Sequence, residues 1–195
     1  MPPNDTVLAF DTTAAHCAAA LRLQGETHVR VEEMARGQAE RLMVLLEELL
    51  AEHGQTWADL DAIGVGVGPG NFTGIRISVS AARGLALGLG IPALGVSMFD
   101  TTQFLGKWAQ TIVPAPRDQI YLFDPDKMKA PILSATKEQK SHYAVSSDFT
   151  AQEHMRMMAQ ITAQRAGPDT PAPKPLYVKA PDAAPSREKP PVILP

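Results

Sequence analysis

Cysteine is nearly absent. Cys17 is the only one in 195 residues, which excludes an internal disulfide framework. It sits in an apolar run, so it reads as a buried thiol rather than a nucleophile. A basic surplus is also missing: 18 Lys and Arg stand against 21 Asp and Glu, for a net charge of −3. A chain that grips nucleic acid unaided carries a basic face, so any role on RNA would run through a partner. No apolar run reaches the roughly 20 residues that span a bilayer. The opening MPPNDTVLAFD holds acidic residues and no basic region, so no secretion signal is expected and the cytoplasm is the expected location. The histidines His16, His28, His53, His142 and His154 are scattered. None forms H-E-x-x-H or a close ligand pair, so no metal site is expected. The G-x-S-x-G nucleophile elbow is missing too.

What is present is ordinary globular material, 45% hydrophobic and 20% charged, enough for one large domain or two small lobes. The chain is organised around Ala62 to Gly90, AIGVGVGPGNFTGIRISVSAARGLALGLG. An apolar run, Ala62 to Val67, enters the loop Gly68-Pro69-Gly70-Asn71-Phe72-Thr73-Gly74, and a helix-period segment, Ile75 to Leu89, leaves it. Glycines allow positive φ or close backbone approach, and Thr73 is placed to cap the helix. A glycine loop opening a helix is a seat for an anion or simply a turn. The phosphate signatures themselves are absent. Gly74 is followed by Ile75 where a P-loop needs Lys, and Thr73 stands where G-x-G-x-x-G needs its third glycine.

Ahead of this stretch, Thr6 to Phe10, Cys17 to Leu23 and Thr27 to Val31 read as three strands, with Gln24-Gly25 as a hairpin turn. Gln38 to His53 is a helix with Ala39, Leu42, Met43, Leu46, Leu49 and Leu50 on one face, widened by Val44 and Leu45. That stripe is broad enough for two contacts, the chain's own sheet and a partner, although core alone would account for it. Thr56 to Asp59 reads as a short capped helix. Ala93 to Val96 is a strand, and Ser97 caps a helix running to about Trp108. Thr111 to Val113 and Gln119 to Phe123 are short strands, and Ala151 to Arg165 is a helix with Met155, Met158, Ala159 and Thr162 on one face. Between Asp126 and Gln139 the pattern gives few signals. Nine of the 17 prolines fall between Pro168 and Pro195, the composition of an extended tail. The β-β-β-α-β-α-β-α order predicts an α/β fold with a mixed sheet, its first three strands antiparallel, its later ones parallel, and helices packed on it.

Asp11, at the end of the first strand, begins a turn with Thr12 and Thr13. A carboxyl there holds a metal or a water beside a phosphate, or caps its turn. Asp11 and Thr12, with Gly68, Gly70, Thr73 and Gly74, make up the candidate phosphate loop. Arg76 and Arg83 are seven apart on one helix face, placed to meet acidic groups of a partner or to be solvated.

Three stretches, LAFDTT (Leu8 to Thr13), ERLMVLLEELL (Glu40 to Leu50) and GVGPGNFTGIRISVSAARGLALGLGIPALGVS (Gly66 to Ser97), resemble the TsaB (YeaZ) family of bacterial threonylcarbamoyladenosine synthesis on tRNA. The most specific piece is G-P-G-x-F-T-G-x-R, carried by Gly68, Pro69, Gly70, Phe72, Thr73, Gly74 and Arg76. A fainter match is Pro175-Leu176-Tyr177-Val178-Lys179, similar to the family's closing P-x-Y-x-R. The resemblance implies a ribonuclease-H-like, actin-like ATPase fold. Its lobes would be an N-terminal one over 1–110 and a reduced C-terminal one over 111–166, followed by the proline-rich tail, 167–195. It implies a non-catalytic subunit that pairs with TsaD for threonylcarbamoyl transfer to adenosine 37 of tRNA, joined by the ATPase TsaE. The tRNA would be met through the complex, and a homodimer would form when TsaD is absent. Leu42, Met43, Leu46 and Leu50, with Arg76 and Arg83, would belong to the partner interface. No tightly bound cofactor is implied, with ATP or ADP entering at the level of the complex. Two alternatives remain: a nucleotide-binding enzyme of the actin-like fold and an M22-type metallopeptidase. The chain departs from the family at Arg36-Gly37-Gln38-Ala39, where R-x-H-S is usual, and at Ala115, where D-A-R-x-x-x-x-Y has its leading Asp.

Overall fold

A computed structural model describes residues 5–135 and 143–178. The first three strands, β1 (Thr6–Asp11), β2 (His16–Leu23) and β3 (Glu26–Glu33), form an antiparallel meander. Gln24 and Gly25 turn the hairpin at φ 47° and 96°, the left-handed pair that a two-residue hairpin requires. Helix α1 (Gln38–Glu52) follows, then β4 (Ala62–Gly66), α2 (Phe72–Leu89), β5 (Ala93–Val96) and α3 (Met98–Gly106). Strands β4 and β5 run parallel to β1, giving the order β3-β2-β1-β4-β5. This is the ribonuclease-H-like arrangement. A second mixed sheet is small: β6 (Thr111–Pro114), β7 (Ile120–Phe123), β8 (Ile132–Ser134) and β9 (Ala144–Val145), in the order β8-β7-β6-β9. Helix α4 (Ala151–Arg165) returns to lie across the five-stranded sheet.

The two faces of that sheet bury different side chains because alternate residues of a strand point opposite ways. Leu8, Phe10, Cys17, Ala19, Leu21, Ile63 and Val65 meet the leucines of α1 and Ile75, Val79 and Ala82 of α2. Ala9, Ala18 and Ala20 meet Met155, Met158, Ala159 and Ile161 of α4. The second face is lined with small residues so that α4 can lie close. A Cβ on Gly64 would sit 2.3 Å from Thr162 Oγ1. Each fully buried leucine or methionine contributes about 1.5–3 kcal/mol, so these two layers supply most of the fold's apolar stabilisation.

The helix ends carry their own signals. Ser97 and Asp100 form a capping box at α3, as do Thr150 and Glu153 at α4. Gly90 closes α2 in the left-handed conformation. One cap differs from expectation. The α2 helix begins at Phe72, and its cap is Asn71 rather than Thr73: the Asn71 side chain accepts from the Gly74 N–H at 2.9 Å. Thr73 lies in the first turn, exposed. Strand β8 lies where the sequence offers few signals, and the two-residue β9 was not expected.

Candidate functional site

The ends of β1 and β4 and the start of α2 come together in one cluster. Thr12 Oγ1 donates to the Gly74 carbonyl at 2.7 Å, and the Asn71 N–H donates to the Thr13 carbonyl at 2.7 Å. The loop glycines are required by this closeness. A Cβ on Gly74 would lie 1.8 Å from the Thr12 carbonyl oxygen, and one on Gly70 would lie 2.3 Å from that of Thr13. Thus Gly70 and Gly74 of the candidate phosphate loop are brought against the turn that holds Thr12, Gly70 at Thr13 and Gly74 at Thr12. Gly68 has φ +101° and its own carbonyl accepts from the Met98 N–H. Thr73 stands apart on the exposed side of α2.

Asp11 is buried at the centre of the cluster. Its Oδ2 accepts from Thr13 Oγ1 at 3.1 Å and lies 2.8 Å from His16 Nε2. Its Oδ1 has no hydrogen-bond partner among the described residues. A buried acceptor left this way costs about 1–3 kcal/mol. The Asp11–His16 pairing spans a turn of five residues and went unseen in the sequence, because neither residue belongs to a recognised spacing. No group of three or more His, Cys, Asp or Glu side chains is arranged to hold a metal among the described residues.

His154 stands nearby on α4. Its Nε2 lies 2.9 Å from the Ser146 carbonyl, which can only accept, so that nitrogen carries the proton. Nδ1 is then free to accept from Thr101 Oγ1 at 2.8 Å. Burial holds the His154 imidazole below its ordinary pKa, against a smaller upward pull from the Ser146 carbonyl. Cys17 is an inert thiol: burial first, then Glu32, pushes it up to about 11.

The residues expected at a partner interface divide. Leu42, Leu46 and Leu50 are 2% exposed or less and belong to the chain's own core. Met43 is 37% exposed and faces outward with Val44 at 46%. On neighbouring α2, Leu87 is 87% exposed. Arg83 is exposed on the same helix. Gly84 and Gly88 also lie on α2, and a Cβ on either would meet nothing within 4 Å among the described residues. Interior helical glycine costs about 1 kcal/mol relative to alanine, and packing among the described residues gives no reason for either.

Arg76 has an internal role. Its guanidinium lies over the Phe72 ring at 4.0 Å, and its Nε donates to Tyr177 Oη at 3.2 Å. The Tyr177 ring is 4.8 Å from that of Phe72. Leu176 N–H donates to the Val67 carbonyl at 2.8 Å, and its side chain reaches the main core. The Phe and Arg of G-P-G-x-F-T-G-x-R therefore hold down the P-x-Y segment that resembles the family's closing motif.

Comparison with known proteins agrees with this geometry. The family model of TsaD, tRNA N6-adenosine threonylcarbamoyltransferase, matches residues 29–130. The TsaB protein of tRNA threonylcarbamoyladenosine biosynthesis from Escherichia coli K12 is 36% identical over 102 residues, 52% of this chain and 44% of that protein. The matched stretch is thus less than half the length of that relative. An uncharacterized protein of Mycobacterium tuberculosis H37Rv is 33% identical over 201 residues, covering 92% of this chain and 94% of that one. The structure of YeaZ from Pseudomonas aeruginosa superposes with a TM-score of 0.65 at 23% identity, over 83% of this chain and 93% of that one. With the motif residues in place around the β1–α2 cluster, the chain belongs to the TsaB (YeaZ) family, the group named for tRNA threonylcarbamoyladenosine biosynthesis.

Proposed function

We propose that this chain is a non-catalytic subunit that pairs with TsaD and supports threonylcarbamoyl transfer to adenosine 37 of tRNA. The observation that carries the reading is the outer face of α1 and α2. Met43 and Val44 are exposed apolar side chains of α1 and Leu87 is one of α2, and a Cβ on Gly84 or Gly88 of α2 would meet nothing within 4 Å among the described residues. Small residues let a second helix approach closely, and apolar area removed from water contributes about 25 cal/mol per Å². A helix-to-helix contact with a related lobe fits this surface. The partner set differs from the sequence expectation: Met43 and Val44 supply it from α1, because Leu42, Leu46 and Leu50 are committed to the core.

The cluster around Asp11 supports the non-catalytic part. The Thr12 and Thr13 hydroxyls are bonded inside the chain, and the loop glycines pack against the Asp-Thr-Thr turn. In this reading ATP or ADP enters at the level of the complex with TsaD and the ATPase TsaE, tRNA is met through that complex, and α1 and α2 form a homodimer when TsaD is absent. The test is size-exclusion chromatography with light scattering on this chain mixed with TsaD from the same genome. A heterodimer that is lost in Leu87→Asp, a variant that leaves the core intact, supports the reading. Absence of any complex at micromolar concentration, with tRNA and nucleotide present, refutes it.

A further inference from the structure

Helix α3 ends on a residue that seldom takes such a turn. A Cβ on Gly106, its last residue, would lie 2.3 Å from that of Ala144 on β9, so this glycine is required for packing. The left-handed position falls one residue later, on Lys107 at φ 57°, where glycine is usual and a side chain is disfavoured. Lys107, Trp108 and Ala109 then line a hollow of about 380 Å³, together with Gln103 and Phe104 of α3 and Arg165 of α4. The Arg165 guanidinium lies 5.0 Å from the centre of the Phe104 ring. Phe104 is 38% exposed and Trp108 51%, and Lys107 and Arg165 are exposed as well.

The lining sets the class of ligand. No Asp or Glu lines the hollow, in a chain where acidic residues outnumber basic ones by 21 to 18. Lysine and arginine bind phosphate, and a guanidinium stacked on a ring keeps its N–H edge for one. An exposed tryptophan offers a flat face on which any base stacks, and the Gln103 amide can both donate to and accept from a base edge. An acidic peptide would use the cations and leave the indole without a stack. The volume falls within the range of small-molecule sites, roughly 300–1,000 Å³. We propose that this hollow binds a nucleotide, its base against Trp108 and its phosphate at Lys107 and Arg165. Two cations are too few to hold RNA unaided, so the nucleotide is either free or part of a strand held elsewhere. No residue of α1 or α2 lines the hollow, so its fate and that of the pairing with TsaD are independent.

The probe is adenosine monophosphate, added to the full chain and followed by amide and indole NMR shifts. Saturable shifts are expected at the Trp108 indole and around Lys107 and Arg165, while the indole of Trp57, packed against the core of the first sheet, stays in place. Trp108→Ala and Arg165→Gln should each weaken binding at least about fivefold, through loss of a base stack and of a charged donor. Both side chains are exposed, so both variants keep the fold. A short oligoadenylate RNA distinguishes the source. Tighter binding that falls with salt marks a strand, and binding no tighter than that of the monophosphate marks a free nucleotide. The proposal is overturned if neither probe gives saturable shifts at millimolar concentration, if an oligoglutamate peptide binds the same residues as tightly, or if either variant binds like the parent.

Discussion

The same substitution should act in opposite directions at two glycines of one helix. At Gly84 a Cβ meets nothing within 4 Å among the described residues. Gly84→Ala therefore adds helix propensity and no clash, a gain of about 1 kcal/mol. At Gly74 the Cβ would lie 1.8 Å from a backbone carbonyl, that of Thr12. A backbone atom cannot swing aside as a side chain can, so relief requires parting the Asp-Thr-Thr turn from α2 and stretching the Thr12–Gly74 hydrogen bond. Overpacking of this kind costs about 1–3 kcal/mol and occasionally more, and Gly74→Ala belongs at the upper end. With a urea m-value of about 2 kcal/mol/M, the midpoint should rise by about 0.5 M in Gly84→Ala and fall by about 1.5 M in Gly74→Ala. The assay is urea unfolding at two protein concentrations, which separates folding from self-association. In complex with TsaD the sign at Gly84 should reverse, because the added methyl group keeps the partner helix at a distance. A destabilised Gly84→Ala monomer, or a Gly74→Ala variant as stable as the parent, would refute the packing argument.

Three further outcomes follow. Leu46→Ala should cost about 2–5 kcal/mol because Leu46 is fully buried, whereas Met43→Ala should change monomer stability by less than about 0.5 kcal/mol and weaken the complex; thermal unfolding and pull-down together read both. His154 is held below its ordinary pKa in the fold, so the unfolded chain binds more protons between the folded value and about 6.5. Stability should therefore fall as pH drops through that window, by at most about 1.4 kcal/mol per pH unit, and the fall should be shallower in His154→Gln; unfolding midpoints at pH 7 and below would detect an equal slope, which contradicts the assignment. Arg76→Ala removes the stack on Phe72 and the bond to Tyr177, and hydrogen exchange at the Leu176 amide should accelerate; unchanged exchange would mean that Leu176 is held by its own backbone bond and side chain alone.

Much of the fold was legible because the signals are local. The Gln24-Gly25 turn, the Ser97 cap, the 3.6-residue stripe of α4 and the order of strands and helices in the first sheet all lie within short windows of sequence. Strands β8 and β9, of three and two residues, are too short to show a period. The cap of α2 was misplaced by two residues because Asn71 and Thr73 are both good capping types, and the choice depends on which reaches the Gly74 N–H. In α1, Leu42 to Leu46 are five consecutive apolar residues. Periodicity identifies a broad stripe there, but the packing of the sheet decides that Leu45 turns inward and Met43 and Val44 outward. The site depended on tertiary contacts: Arg76 and Tyr177 are 101 residues apart, and the unmatched oxygen of Asp11 exists only because Gly66 leaves it room.

The central claim is that this chain serves TsaD through the outer face of α1 and α2. It is tested most directly by measuring threonylcarbamoyl transfer to tRNA by TsaD from the same genome, with and without this chain and with Leu87→Asp. The account predicts no transfer by the chain alone, a clear rise in TsaD activity when it is added, and loss of that rise in a folded Leu87→Asp variant. Transfer by this chain without TsaD, or a rise that survives Leu87→Asp unchanged, would contradict it.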